Sequence, residues 1–274
     1  MIYKSPAKIN LSLDVISKRS DGYHELKMIM QTVSLYDEIN IEKDDKISID
    51  CNKNNIPLNN KNLAWKAADA FFEYTSIKGG CKIYLNKKIP DGAGLGGGSS
   101  NAATVLIALN EIYNTNLSDS ELINIAVKIG ADVPFFILKG TCLAEGIGEK
   151  LTKLQNNTNP YILIYKPLFS ISTKWAYENL KLNSKPIYNI DEIIENLKCK
   201  NYNFNNIFNY LEDVSITEYP EINNIKNKMK NLGATASLMS GSGSSVFGIF
   251  NDETAAKKAF ESFEKNTVFL TKFI

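Results

Sequence analysis

Lys88-Ile-Pro-Asp-Gly-Ala-Gly-Leu-Gly-Gly-Gly-Ser-Ser-Asn-Ala-Ala103 places glycine at 92, 94, 96, 97 and 98 and hydroxyls at Ser99 and Ser100. It then runs without a polar spacer into a helical pattern that continues to Tyr113. Glycine lets the main chain turn its N–H groups towards a ligand with no side chain in the way. A helix opening directly behind adds its unpaired N–H groups and the positive end of its dipole. The combination reads as an anion cradle sized for nucleotide phosphates, and a flexible linker does not explain the abrupt helix.

Better-known glycine motifs do not account for the stretch. Gly92, Gly94 and Gly97 satisfy the dinucleotide-binding spacing, but any dense glycine run does, and no flanking βαβ unit with an acidic strand end is evident. No Gly-Lys-Ser/Thr follows the glycines, which excludes the mononucleotide P-loop. Without His-Arg-Asp or Asp-Phe-Gly, the chain is not a protein kinase.

The remaining composition narrows the class. With 274 residues, 44% hydrophobic and 22% charged, the chain has ample core for one large domain or two modest ones. Its formal net charge is +1 and Arg19 is its only arginine, which argues against nucleic acid as a partner. Cys51, Cys81, Cys142 and Cys199 are scattered, with one histidine and no Cys-x-x-Cys, so four reduced thiols are expected rather than a zinc site. The Met1–Pro6 start lacks a signal-peptide core, and no apolar run approaches the roughly 20 residues of a membrane helix. A cytoplasmic protein is expected.

From the N-terminus, Pro6–Ile16 alternates. Ile9, Leu11, Leu13 and Val15 share one face, and Lys8, Asn10, Ser12 and Asp14 the other. That polar face reads either as a solvated sheet surface or as a site. Arg19-Ser-Asp-Gly-Tyr-His24 is a turn, and Glu25–Leu35, Asp37–Lys43 and Lys46–Cys51 read as strands of an antiparallel or mixed meander. Asn62–Phe72 is an amphipathic helix, and Gly80–Lys87 is a strand leading into the glycine loop. Ser118-Asp-Ser-Glu121 is a capping box opening a helix to about Lys128. Gly130 stops that helix and Pro134 fixes the chain beyond it, leaving Asp132 at a rigid corner as either a cap or a catalytic carboxylate. Gly140–Glu145 is a strand.

Gln155–Pro160 reads as a seam between an N-terminal ATP-binding and catalytic lobe, 1–155, and a C-terminal lobe, 156–274. Beyond it follow a strand (161–165), a helix (173–180), an Asn-rich helical region (191–212) and a helix (221–232). A strand pair around 236–239 and 245–250, a helix (253–264) and a last strand complete the chain. This alternation suggests an open sheet with helices on one face. A second glycine run, Met239-Ser-Gly-Ser-Gly-Ser-Ser245, is either a plain turn or a segment approaching a ligand held by the first.

Taken together and in order, PAKINLSLDV, DGYHEL, PDGAGLGGGSSNAA, GADVPFF and MSGSGSSVFG resemble the small-molecule kinases of the galactose, homoserine, mevalonate and phosphomevalonate superfamily. The Pro-Ala-Lys-Ile-Asn-Leu and Asp-Gly-Tyr-His-Glu-Leu stretches are similar to its 4-diphosphocytidyl-2-C-methyl-D-erythritol kinases. The resemblance implies an α+β fold of two lobes, an N-terminal one like ribosomal protein S5 domain 2 and a ferredoxin-like C-terminal one, with the active site in the cleft between. It also implies an ATP-dependent kinase that phosphorylates the 2-hydroxyl of 4-diphosphocytidyl-2-C-methyl-D-erythritol, using Mg²⁺, in the non-mevalonate route to isopentenyl diphosphate.

Residue by residue, the resemblance gives Lys8 and Asp132 the catalytic roles and Asn10 the orienting of substrate. Tyr23 and His24 fall in the cytidine pocket, with Tyr177 as a second stacking aromatic. The ATP loop comprises Pro90, Asp91, Gly92, Ala93, Gly94, Leu95, Gly96, Gly97, Gly98, Ser99 and Ser100. No magnesium ligand is identified, and the protein is expected to be a monomer or weak homodimer acting on a small molecule. Two positions depart from the pattern: Asp91 stands where an apolar residue is expected, and Ser244 where proline is common. A homoserine- or mevalonate-type kinase is the alternative within the superfamily, and a non-catalytic nucleotide-binding regulator is the alternative outside it.

Overall fold

The computed structural model describes residues 1–156, 158–182, 189–198, 204 and 206–274. Cys199, part of the Asn-rich 191–212 stretch and residue 157 of the expected seam lie outside the described residues. The first part of the chain runs through β1 (Ile2–Lys18), β2 (His24–Asp44), β3 (Ser48–Cys51), α1 (Leu63–Thr75), β4 (Gly80–Asn86) and α2 (Gly97–Ile112). After these come α3 (Asp119–Ala126), α4 (Val133–Leu138), β5 (Thr141–Gly146), β6 (Lys150–Leu154), β7 (Tyr161–Tyr165) and α5 (Thr173–Glu178). The chain ends with α6 (Ile190–Lys198), α7 (Glu212–Glu218), α8 (Glu221–Asn231), β8 (Ala236–Met239), β9 (Val246–Phe250), α9 (Glu253–Glu261) and β10 (Val268–Lys272).

The contacts divide this chain into two compact units, and each is assembled from separated stretches. One holds Met1–Ala7, Leu35–Asp91 and Gly96–Lys139; the other holds Lys8–Ser34, Gly92–Leu95 and Gly140–Ile274.

In the first unit the later half of β2 pairs antiparallel with β4, and β4 pairs parallel with β3, so the expected mixed sheet forms. Asn62 opens α1 by accepting a hydrogen bond from Ala64 N–H, a cap worth about 1 kcal/mol. Ala64, Ala67, Ala68, Phe71 and Phe72 recur at helical spacing and are buried. Phe72 meets Tyr113 edge-on, with ring centroids 5.3 Å apart. Helix α3 begins with the expected capping box, since Ser118 and Glu121 bond each other's backbone N–H reciprocally.

In the second unit the earlier half of β2 pairs antiparallel with β5, and β5 with β6. The C-terminal strands stand in the order β10-β7-β9-β8, antiparallel throughout. Numbered within this sheet, that is fourth-first-third-second, with α8 before the second strand and α9 before the fourth. This is the split βαβ, ferredoxin-like arrangement. Ile162, Leu163, Ile164, Val246, Phe247 and Ile249 are buried in the sheet, while Ile222, Ile225 and Met229 form the buried face of α8. Burying each such side chain contributes about 1.5–3 kcal/mol relative to leaving it in water.

Candidate active site

Three alternate glycines of the first loop adopt left-handed backbone, with φ of +58° at Gly92, +74° at Gly94 and +69° at Gly96. A side chain at such positions is strained. Gly96 is the N-cap of α2 and brings no side chain to satisfy the first N–H groups, and no acidic residue sits in that first turn. The opening of α2 therefore keeps main-chain donors for an anion. Ser99 is half-buried, whereas Ser100 is fully buried and its hydroxyl accepts from Ser5 Oγ at 2.8 Å. Asp91, the unexpected carboxylate, has Lys53 Nζ at 3.6 Å, which offsets its charge locally.

The polar face of β1 is not a solvated surface. Lys8 is 4% exposed, Asn10 1% and Ser12 0%, so a cation and an amide are held inside the protein. Buried polar groups of this kind need partners. Lys8 Nζ donates to Asn10 Oδ1 at 2.5 Å, and Lys8 N–H donates to Leu95 O at 3.0 Å. Asp14, further along the same face, has its carboxyl pushed above the usual range by burial, against the opposing pull of Val15 N–H and the Lys27 ammonium.

The second glycine run packs on the first loop and on this polar face. Ser240 Oγ donates to Gly94 O at 3.0 Å, and Ser245 N–H donates to Ala93 O at 3.2 Å. Asn10 N–H reaches Ser240 Oγ at 3.3 Å. Gly241 has φ +57°, and a Cβ there would lie 3.2 Å from Asn10 Oδ1 and 3.4 Å from Lys8 Nζ. The segment is thus more than a turn at the end of a strand pair. Ser244, the other departure from the pattern, is buried and donates to Phe169 O at 2.7 Å.

Arg19 braces the Asp-Gly turn by bonding both Asp21 and Glu25, and Tyr23 N–H donates to Asp21 Oδ1 at 3.1 Å. The turn presents Tyr23 with 61% of its surface exposed. It also stacks the His24 ring on Tyr177, with centroids 5.0 Å apart and planes 24° from parallel. Burial, together with the Lys18 ammonium, holds the His24 imidazole below its ordinary pKa of 6.5. It is therefore neutral at pH 7, with one nitrogen donating and one accepting.

Asp132 occupies the N-cap position of α4, a short helix that the sequence pattern did not announce. Its backbone is helical, with φ −83°, and its side chain makes no capping bond to that helix. The capping reading of the corner therefore finds no support in the side chain's bonding. Val133 N–H bonds Gly130 O at 3.1 Å, and Pro134 follows, so the corner itself is fixed by main chain.

Other residues here were not singled out by pattern. Asn209 Nδ2 donates to Met239 O at 2.8 Å and to Gly241 O at 2.7 Å, holding both sides of the second glycine segment. Glu212 accepts from Met239 N–H at 2.8 Å and pairs with Lys226; burial pushes its carboxyl up, and the ammonium opposes that shift. Both lie at the end of the Asn-rich 191–212 stretch, where nothing local marks them. Asp37 is different, because it lies in phase with Val33, Leu35, Ile39 and Ile41 on an otherwise apolar strand face. A carboxylate in that phase was a readable signal.

Known proteins match the chain over its length. The family description "GHMP kinases N terminal domain" matches residues 62–140, and "GHMP kinases C terminal" matches 189–268. A Clostridium beijerinckii protein named 4-diphosphocytidyl-2-C-methyl-D-erythritol kinase is 46% identical, with all of both chains covered. A crystal structure of 4-(cytidine 5'-diphospho)-2C-methyl-D-erythritol kinase superposes with a TM-score of 0.86 at 33% identity, covering 100% of this chain and 99% of the other. Homoserine kinase from Cytophaga hutchinsonii shares the fold, with a TM-score of 0.80 at 20% identity over 100% of this chain and 96% of that one. The chain belongs to the GHMP kinases, ATP-dependent kinases of small molecules, and within them to the 4-diphosphocytidyl-2-C-methyl-D-erythritol kinase family.

Proposed function

We propose that the protein transfers the γ-phosphoryl group of ATP to the 2-hydroxyl of 4-diphosphocytidyl-2-C-methyl-D-erythritol, a step of isoprenoid precursor synthesis in the cytoplasm. The observation that carries this reading is the buried Lys8–Asn10 pair facing Gly241, beside a glycine loop with left-handed backbone at alternate positions. Phosphoryl transfer needs positioning and charge neutralisation more than covalent help. Asp132 accepts the proton of the attacking hydroxyl. Lys8 balances charge on the transferring group, and Asn10 orients the alcohol. Residues 90–100 hold the triphosphate through main-chain N–H groups and the Ser99 hydroxyl.

Among the described residues no cluster of three or more histidine, cysteine or acidic side chains is arranged to hold a metal. Mg²⁺ keeps several waters and leans on phosphate oxygens, so it would need few protein ligands here, and the half-buried Ser99 hydroxyl is one oxygen at the loop that could serve. When bound, the ion neutralises phosphate charge. Among the described residues, no helix is long and apolar enough to cross a membrane.

Tyr23 supplies the exposed face for the cytosine ring, and neutral His24, steadied by Tyr177, reads its edge. Replacing Tyr23 by Ala therefore raises KM for the cytidylyl substrate about tenfold and leaves KM for ATP within about twofold. An unchanged KM for the cytidylyl substrate would make the turn merely structural. A second expectation concerns pH. Because folding depresses the His24 pKa, the neutral form persists from high pH down through 6.5, and protonation sets in only below that value. KM for the cytidylyl substrate rises in that lower range, and the smaller contribution of neutral His24 to stability is lost over the same interval. A pH series of KM, run with and without the His24→Gln change, measures this; a rise that persists in the variant removes the assignment.

A coupled ADP-release assay with the cytidylyl alcohol, homoserine and mevalonate, each with ATP and magnesium, tests the reaction. Turnover with the cytidylyl alcohol alone is expected. Preference for another alcohol moves the protein elsewhere in the family, and binding of ATP without turnover makes it a regulator. Sedimentation in the same buffer reads whether it is a monomer or a weak homodimer.

A further inference from the structure

The Asp37 carboxylate is 0% exposed and takes four hydrogen bonds. Oδ1 accepts from Lys88 N–H at 2.7 Å and Ile89 N–H at 2.8 Å; Oδ2 accepts from Lys87 Nζ at 2.5 Å and Asn101 Nδ2 at 2.9 Å. Residues 87–89 are the last before the glycine loop, and Asn101 lies in the second turn of the helix that follows it. Lys87 Nζ also donates to Asn101 Oδ1 at 2.9 Å, and a Cβ on Gly97 would come within 3.2 Å of that ammonium. Asn101 continues the chain of bonds to Ser5 Oγ at 3.0 Å, and Ser5 to Ser100 Oγ. One buried carboxylate thus ties the entry of the loop to its exit.

We propose that Asp37, acting through Lys87 and Asn101, is a positioning residue that holds the two ends of the glycine loop at the separation needed to receive the ATP phosphates. Asp37 does not touch the reacting atoms. A loop of consecutive glycines loses more conformational freedom on ordering than any other sequence. Fixing its ends in advance removes part of that cost from the binding step. The arrangement explains why a polar network is buried where the strand pattern calls for an aliphatic residue: Asp37 gathers four donors, two of them main-chain N–H groups that would otherwise be left unpaired. The inference rests on the reading of residues 90–100 as the ATP loop.

Asn101→Ala is the first test, since it cuts the tie while leaving the Asp37–Lys87 charge pair in place. KM for ATP should rise about fivefold, with KM for the cytidylyl substrate within about twofold. Asp37→Asn sets an amide NH₂ against one of the two donor pairs and removes the charge facing the Lys87 ammonium, and should raise KM for ATP at least about tenfold where the variant folds. If it does not fold, Asn101→Ala decides alone. Hydrogen exchange on the ATP-free proteins gives the readout that a purely structural role would not move: amides of 92–98 should exchange faster in Asn101→Ala, with those of α8 and α9 unchanged. Wild-type exchange with and without Mg·ATP tests the underlying reading separately, because protection of 92–98 is expected. Loss of that protection overturns the ATP-loop reading. With protection present, an ATP KM within twofold of wild type and unchanged ATP-free exchange in Asn101→Ala overturns the role of Asp37.

Discussion

Asp132→Asn should fold normally and turn over at least ~100-fold more slowly, because a positioned general base contributes about that much or more. The substitution keeps the size and shape of the side chain and removes its capacity to take a proton. The carboxylate makes no capping bond to helix α4, and the corner is held by Val133 N–H and Pro134. The loss should fall on kcat more than on either KM, as expected for an interaction made in the transition state. ADP release at saturating substrates, beside a thermal melt, measures both halves of the expectation. Wild-type turnover in a folded variant would end the assignment of Asp132 as base.

Gly94→Ala should be nearly as damaging, by a different route. A Cβ at this position would lie 2.1 Å from Ser240 O and 3.1 Å from Gly243 O, both main-chain atoms, and the backbone there has φ +74°. Left-handed backbone with a side chain costs roughly 1–2 kcal/mol, and forcing an extra carbon into packed main chain roughly 1–3 more. The variant should therefore lose about 3 kcal/mol of stability and nearly all activity, because the same contact seats the second glycine segment against the polar face of β1. Gly92→Ala separates the two causes, since φ is +58° but the nearest atom to its Cβ would be Ser170 Oγ at 3.4 Å. It should show the backbone strain without the collision, and so the smaller loss. Denaturant unfolding of the pair reads the difference; equal losses would mean that the two segments do not depend on each other.

Local signals announced much of this molecule. The glycine run into α2, the Ser118–Glu121 capping box and the helices and strands of the C-terminal sheet all appear near their expected places. These features are written in neighbouring residues, through φ freedom, caps and periodicity. Long-range partners decided the rest. Tyr36 and its neighbours do not break the strand, so 24–44 is one continuous element rather than two, because pairing with both β4 and β5 sustains it. Helix α4 is too short to show a period, and β6 is a strand only through its pairing with β5.

The site divides in the same way. Motif position pointed to Lys8, Asn10, His24 and Asp132, but whether the polar face of β1 is buried or solvated is set by what packs on the strand, which no local pattern carries. Asn209 and Glu212 could not be found from sequence at all. Their value comes from main-chain carbonyl and N–H groups of a segment some thirty residues away.

The patchwork make-up of the second unit bears on how the chain matures. Lys8–Ser34 belongs with residues that the ribosome delivers last, up to β10 at Val268–Lys272. Synthesis runs from the N-terminus, so the bonds of Leu13 to Tyr210, Asn10 to Ser240 and Thr32 to Ile274 cannot form until those late residues emerge. A polypeptide starting at residue 140 would in turn lack the strands on which β5 and the 240–245 segment rest, and expressed alone it should show no cooperative melt.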